Sequence, residues 1–283
     1  MLSFLNDPHY FTAVAVVLGL CVGSFLNVVI HRLPRMLERQ WRLECAEIAG
    51  TEAPAEERYD LVLPPSRCPG CGHAITAREN IPLVSYFLLR GRCSSCKTRI
   101  SPRYPFVEAL AGLLSGYVAW RFGLSAATLG ALLFCWAMVA LAFIDLDTFY
   151  LPDNITLLLL WTGLVFNVFG VFTDLGSAVI GAAAGYLALW SVFWLYKLAT
   201  GKEGMGYGDF KLLAAIGAWL GWKALPLVIL LSSFVGAVIG IALIVFARRE
   251  RHMPIPFGPY LAIAGVIALF HGGAINTRYL ELF

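Results

Sequence analysis

The chain has 283 residues, of which 59% are hydrophobic and only 14% are charged, and its mean hydropathy is +0.74. Soluble domains are usually near one quarter charged, so this composition excludes a disordered chain and an ordinary soluble enzyme. The net charge of +3 is too small to indicate a nucleic-acid partner. Because a lipid bilayer accepts so much apolar surface, we predict an all-α polytopic membrane protein.

Eight apolar segments are candidates for membrane-spanning helices. A helix needs about 20 apolar residues to cross the hydrocarbon core of a bilayer. None of these segments shows the alternation of apolar and polar residues that is typical of a membrane β-barrel strand. In chain order they are 10–30, 105–120, 124–144, 155–172, 177–196, 210–221, 224–247 and 256–270. We therefore expect three parts: a first transmembrane helix (1–30), a compact polar insertion (31–104) and a second membrane region (105–283).

The polar insertion sets the predicted orientation, because it holds twelve of the 21 Lys and Arg residues. If the loops alternate, eighteen basic residues fall on the side of the insertion and three on the other. Basic residues accumulate on the cytoplasmic side of membrane proteins. We therefore predict that the insertion is cytoplasmic and that eight spans place both termini outside.

Two short cysteine motifs lie within the insertion, Cys68-Pro-Gly-Cys71 and Cys93-Ser-Ser-Cys96. Each C-x2-C turn brings two thiolates to one tetrahedral metal, and two turns complete a four-sulfur shell. Such a shell leaves no open coordination position, so we predict a structural zinc ion in a small zinc-knuckle domain. A pair of redox dithiols is the alternative.

Acidic residues at membrane depth are costly and indicate function. Asp145 and Asp147 end one apolar run, and Asp209 follows Gly206-Tyr207-Gly208 and opens the next. Both positions fall on the predicted cytoplasmic side. Asp147 is either a catalytic residue or a terminal anchor, whereas Asp153, after Leu151-Pro152, is expected to be a helix cap.

Two carboxylates that share a proton can hydrolyse a peptide bond, since one activates water while the other donates a proton. Gly206 and Gly208 would let a substrate backbone approach closely and would permit conformations that a Cβ forbids. The twelve residues of 210–221 are too few to cross the bilayer, which places Asp209, expected at the helix N-cap, about 10 Å inside the boundary. We therefore predict a hydrated aspartic protease site open to the cytoplasm.

The ordered set of motifs closely resembles the bacterial type IV prepilin peptidases, which are leader peptidases and N-methyltransferases of the GxGD aspartyl protease class. The resemblance runs nearly end to end. Besides both cysteine pairs and both acid motifs, it includes Gly23-Ser-Phe-Leu-Asn27, His31-Arg-Leu-Pro34, Asn80-Ile-Pro-Leu-Val-Ser-Tyr86, Arg103-Tyr-Pro105 and Pro256-Phe-Gly-Pro-Tyr260.

This resemblance implies cleavage of prepilins and type II secretion pseudopilins at the cytoplasmic face of the bacterial inner membrane. It maps the catalytic pair onto Asp145 and Asp209 and the metal ligands onto the four cysteines. It also implies methylation of the new N-terminus with S-adenosylmethionine. The family's methyltransferase glycine corresponds to Gly91, for which a tight turn before Cys93 is an equal alternative.

The residues that other protease classes need are not found in these motifs. A serine protease would need a nucleophile partnered with a histidine, and a zinc protease an open metal position; neither pattern is present in the sequence. A transporter or assembly scaffold that binds cations through the buried acids remains the alternative. Glu108 either attracts a basic leader or pairs with Arg103.

Overall fold

The computed structural model describes residues 7–51, 58–246 and 255–280, and within these ranges the chain is helical without strands. The all-α prediction is confirmed. Short helices occupy Ala77–Asn80 (3-10), Val84–Leu88 (α2) and Trp222–Ala224 (3-10). The long helices are α1 (Pro8–Ala49), α3 (Arg103–Phe122), α4 (Ala126–Thr148), α5 (Asp153–Val168), α6 (Leu175–Thr200), α7 (Tyr207–Leu220), α8 (Leu225–Phe246) and α9 (Gly258–Leu280).

Four helical segments of the described chain are long and apolar enough to cross a membrane. They are Pro8–Ala49, Ala126–Thr148, Leu175–Thr200 and Trp222–Ala242. The membrane class is therefore confirmed, with the cysteine cluster between α1 and α3. The count of eight spans and the three-part division remain predictions. The chain forms two compact units, Met1–Thr128 and Leu129–Phe283.

In the first unit, α1 is a continuous helix that runs past the apolar segment 10–30 and into the polar insertion. It contains Pro34 and ends at Gly50, whose φ of 64° is a typical helix C-cap conformation. Helix α3 packs closely on α1, because a Cβ at Gly23 would lie 2.7 Å from the Cα of Glu108. The small residues thus permit close helix contact at membrane depth.

In the second unit, α7 is the buried central helix, with ten of its fourteen residues buried. It lies close to α6, since a Cβ at Gly185 would be 2.7 Å from the carbonyl oxygen of Leu213. The Asn167 side chain donates hydrogen bonds to the Ala218 and Trp219 carbonyls, at 2.8 and 2.9 Å. These bonds satisfy carbonyls that a helix end leaves without partners. A helix too short to span the bilayer is thereby held inside the protein.

Candidate functional site

Asp145 lies in the last turn of α4, and only 5% of its surface is exposed. Its neighbours on the helix are apolar, as expected for the end of a buried segment. Its Oδ2 accepts a hydrogen bond of 2.9 Å from the backbone N–H of Gly258, at the start of α9. This contact holds the carboxylate at a defined position inside the second unit.

Asp209 lies in the first turn of α7, where it is 8% exposed. The N-cap is Gly206, so the expectation that Asp209 itself caps the helix is wrong. The positive end of the helix dipole still favours a carboxylate in the first turn. Asp209 lies close enough to Asp145 for their charges to interact directly. The fold therefore brings together the two acids that the sequence singled out.

The two glycines of the loop before Asp209 have different surroundings. A Cβ at Gly206 would meet nothing within 4 Å, whereas a Cβ at Gly208 would lie 2.8 Å from the Cβ of Leu151. Neither glycine has a positive φ, so the expected need for unusual backbone conformations is wrong for this structure. Close packing requires glycine at 208, and the open space at 206 leaves room for a substrate backbone.

Gly258 is a site residue to which sequence reasoning assigned no role. The signal in the sequence is the motif Pro256-Phe-Gly-Pro259, in which prolines flank the Phe-Gly pair and which forms part of the family resemblance. A Cβ here would lie 2.7 Å from Asp145 Oδ2 and 3.3 Å from Leu151 Cδ1. Leu151 therefore contacts both Gly208 and Gly258, and it links the segments that carry the two acids.

The other acids near the pair occupy different environments. Asp147 is exposed. It lies two residues after Asp145 on the same helix, and residues at this spacing do not face each other. Asp153 is the first residue of α5 rather than its cap, which is Pro152. Both carboxylate oxygens of Asp153 accept 2.7 Å hydrogen bonds from Lys211 Nζ. This ion pair ties the start of α5 to the start of α7.

The four cysteines of the insertion converge, and their sulfur atoms all lie within 4.8 Å of one another. The Sγ atoms of Cys68 and Cys96 are 3.7 Å apart, close to the about 3.8 Å expected between sulfurs that share a tetrahedral zinc with Zn–S bonds of about 2.3 Å. The cysteine positions therefore suit one zinc ion.

Each cysteine pair lies in the same kind of turn. The Cys68 N–H donates to the carbonyl of His73 and the Cys93 N–H to that of Thr98, both at 2.9 Å. The residue after each pair, Gly72 or Lys97, has a positive φ. This repeated hairpin-like turn is the zinc-knuckle geometry that the sequence predicted.

The thiols of the cluster titrate differently. A hydrogen bond with Thr98 lowers the pKa of Cys96 to about 6. At Cys71 the N–H of His73 acts in the same direction, but the neighbouring Cys96 and burial outweigh it and raise the pKa to about 11. A negative charge on the neighbouring sulfurs thus disfavours ionisation of Cys71, and a bound dication would relieve this repulsion.

Glu79 connects the two knuckles, and sequence reasoning missed it. Hydrogen bonds with Ser94 and then with the Thr76 N–H and hydroxyl lower the pKa of Glu79 to about 2. Its Oε1 also lies 3.3 Å from His73 Nε2. The side chain is therefore ionised at neutral pH and contacts the first knuckle through His73 and the second through Ser94.

Gly91 lies in the wall of a cavity of about 570 Å³ beside the second knuckle. Its φ is +65°, and a Cβ would lie 2.9 Å from Tyr86 Oη. The positive φ of the turn therefore favours glycine, as the alternative interpretation held. Three arginines line the same cavity: Arg90, Arg92 and Arg99.

Glu108 is buried on α3 and reaches the segment that leads to this cavity. Its Oε2 accepts a 2.9 Å hydrogen bond from the backbone N–H of Leu83. Leu83 has φ 58° and ψ −48° at the start of α2, a strained conformation for a bulky residue. Glu108 thus stabilises the segment that carries Tyr86.

Comparison with known proteins identifies the family. Residues 17–122 match the bacterial peptidase A24 N-terminal domain, and residues 132–241 match the type IV leader peptidase family. This chain belongs to the type IV leader peptidase family. The predicted membership is therefore confirmed. No solved structure gives a significant match.

Relatives within the type IV leader peptidase family cover nearly the whole chain. Proteins named prepilin leader peptidase/N-methyltransferase are 58% identical in Aeromonas hydrophila, 57% in Stutzerimonas stutzeri and 56% in Pseudomonas aeruginosa. The alignments cover 98–99% of this chain and 96–98% of the relatives.

Proposed function

We propose that this chain is a membrane aspartic endopeptidase that removes the leader peptide of prepilins and type II secretion pseudopilins and then methylates the new N-terminus. The observation that carries the protease activity is that two buried carboxylates, Asp145 and Asp209, lie near enough on two helices of one unit for their charges to interact. Full-length relatives named for both activities support the bifunctional assignment. The alternative of a cation-binding transporter has no comparable support.

The acid pair performs hydrolysis by exchanging protons with water and the peptide. One carboxylate removes a proton from a water molecule, whose oxygen bonds to the scissile carbonyl carbon, while the other donates a proton to the carbonyl oxygen. The tetrahedral intermediate then breaks its C–N bond: the carboxyl group that took the proton from water donates it to the leaving nitrogen, and the other carboxylate removes a hydroxyl proton, which forms the carbonyl of the product acid and restores the pair. The Gly258 N–H keeps Asp145 in place throughout.

Replacement of either acid tests this mechanism. Asp145→Asn and Asp209→Asn should each reduce cleavage of a purified prepilin about 10²–10⁴-fold or more, because a single carboxylate cannot play both roles. Asp147→Asn is the matched control, since Asp147 is exposed on the same helix, and it should cleave normally. Full activity of Asp209→Asn in a folded protein would contradict the proposal.

The residues near Gly91 fit S-adenosylmethionine, the methyl donor that the methyltransferase activity implies. The cavity volume of about 570 Å³ lies within the usual range for ligand sites. The arginines could bind the methionyl carboxylate, and the Tyr86 ring could face the adenine or the cationic sulfonium. When bound, the donor supplies an electrophilic methyl group for the new amine. In this assignment Gly91 leaves the wall open, and the arginines orient the donor.

Donor binding can be measured without turnover by titrating S-adenosylmethionine into the purified protein. Gly91→Ala should weaken binding, because its Cβ would crowd Tyr86. Gly50→Ala is the control, since Gly50 also has a positive φ but a Cβ there would meet nothing within 4 Å. Equal affinities of Gly91→Ala and the wild-type protein would place the donor elsewhere.

We further propose that the cysteine quartet holds structural zinc and that the insertion and the acid pair face the cytoplasm of the bacterial inner membrane. The sulfur spacing supports the metal, and the excess of Lys and Arg supports the orientation. Cysteine accessibility in spheroplasts tests the orientation. A residue such as Cys45, exposed on α1, should react with impermeant maleimide only after lysis.

A further inference from the structure

The short helix α2 exposes apolar side chains, although it belongs to the polar insertion. Val84, Phe87 and Leu88 are 50%, 72% and 78% exposed, and Ile81, just before the helix, is 45% exposed. Their spacing of three and four residues places them on one face of the helix. We call these four side chains the α2 face. A cluster of exposed apolar side chains usually marks an interaction surface.

The depth of α2 in the membrane can be measured along α1. Helix α1 meets α3 at Gly23, where a Cβ would lie 2.7 Å from the Cα of Glu108. The Glu108 carboxylate in turn accepts the 2.9 Å hydrogen bond from Leu83 at the start of α2. Gly23 lies about 10 Å inside the end of the predicted apolar segment 10–30. The Glu108 side chain is shorter than this distance, so α2 begins below the predicted membrane surface.

Another part of the insertion is held farther out along α1. The Arg32 guanidinium donates hydrogen bonds to the carbonyls of Asp60 and Pro64, at 2.9 and 2.6 Å. Arg32 is about 13 Å farther along α1 than Gly23. The segment from Asp60 to Pro64 therefore lies outside the apolar layer, while α2 reaches into it.

The backbone hydrogen bonds around α2 also suit contact with lipid, where an N–H without a partner is costly. Glu108 accepts the hydrogen bond of the Leu83 N–H, which precedes the helix. The Ser85 N–H donates to the Ile81 carbonyl at 3.1 Å, and the Leu89 N–H donates to the Ser85 carbonyl at 2.9 Å. This part of the backbone thus finds its partners within the protein.

Exposed arginines flank the α2 face on both sides. Arg78 precedes Ile81 by three residues, and Arg90 follows Leu88 by two. The long side chain of arginine can follow an apolar surface and place its charge at the lipid phosphates. Anionic headgroups attract such basic residues. An apolar helix face beside basic residues is typical of a segment that lies in the membrane interface.

We propose that α2 is embedded in the lipid bilayer interface, with the α2 face against acyl chains and the flanking arginines at the phosphates. A second protein molecule is the other candidate partner. The depth along α1 favours lipid, because acyl chains surround whatever part of a protein enters the apolar layer. Tyr86, which is not part of the α2 face, lines the cavity beside Gly91. The bilayer would thus hold one wall of that cavity, whatever reaction the cavity supports.

Spin labelling of the full-length protein tests this placement. p-Acetylphenylalanine in place of Phe87 is coupled to a nitroxide, and the protein is reconstituted into vesicles of phosphatidylcholine and phosphatidylglycerol. Power saturation then compares collisions with oxygen, which concentrates among acyl chains, and with a water-soluble nickel chelate. We expect the logarithm of the oxygen-to-nickel collision ratio to be positive at position 87. Leu88, on the same face, provides a second labelling position if the first protein does not fold.

The matched control is the same label in place of Val62. Val62 is 77% exposed and lies in the segment that Arg32 holds, so nickel collisions should dominate there. Equal nickel access at positions 87 and 62 would place α2 in water and overturn the proposal. Exclusion of both reagents from position 87 would show that protein covers the α2 face, which also overturns it. Dominant oxygen collisions at both positions would contradict the difference in depth along α1.

Discussion

Replacing Gly258 by alanine tests how the acid pair is positioned. The new Cβ would lie 2.7 Å from Asp145 Oδ2 and 3.1 Å from its Cγ, well inside the about 3.5 Å at which carbon atoms pack comfortably. The carboxylate must therefore move by about 0.5 Å or more. Catalysis requires its groups to stay within about 0.5 Å of their productive positions, so this displacement should impair the reaction. The 2.9 Å hydrogen bond to Asp145 would be lost or weakened.

A hydrogen bond to a charged group contributes about 1.5–3 kcal/mol, so kcat for prepilin cleavage should fall about 10- to 150-fold. KM should change little, because the lost interaction orients a catalytic group rather than the substrate. Steady-state cleavage of a purified precursor in detergent measures both constants. Gly273→Ala is the control on α9, since a Cβ there would meet nothing within 4 Å. Wild-type kcat for Gly258→Ala would refute the positioning role.

Four further substitutions test other parts of the structure. Gly208→Ala should lower cleavage, because its Cβ would lie too close to Leu151. Gly206→Ala should fold normally and change only KM, because its Cβ would meet no other atom of the protein. Circular dichroism measures folding, and cleavage kinetics measure KM and kcat. Asn167→Leu should leave two buried carbonyls of α7 without donors, cost about 2–6 kcal/mol and lower the thermal midpoint in detergent. Cys96→Ser should reduce the zinc content of the purified protein from one equivalent toward none by elemental analysis, and retention of full zinc would contradict the four-sulfur site.

The sequence predicted both catalytic candidates because charge at membrane depth is rare and costly. Asp145 ends an apolar run and Asp209 follows a glycine loop, and either feature is visible without a fold. Gly258 could not be found in this way. Its contribution is a backbone N–H, which every residue except proline possesses, and its partner lies 113 positions away.

Local patterns also predicted the knuckles, since each C-x2-C turn is short and repeats the same backbone bonds. Glu79 was missed because a single glutamate among loop residues carries no spacing signal. Its contacts with His73 and Ser94 exist only once both turns are folded against each other. Helix α1 also extends beyond the apolar segment from which it was predicted. A change from apolar to polar residues shows where a helix leaves the lipid, but polar residues can continue the helix.

Composition alone determined that this protein belongs in a bilayer, because 14% charged residues cannot cover a water-exposed surface of this size. Short-range spacing predicted the four cysteines as metal ligands and singled out the two acids. The tertiary structure alone decided which backbone group holds Asp145 and why Gly208 must lack a side chain. Those features are contacts between helices far apart in sequence, and close packing in three dimensions creates them.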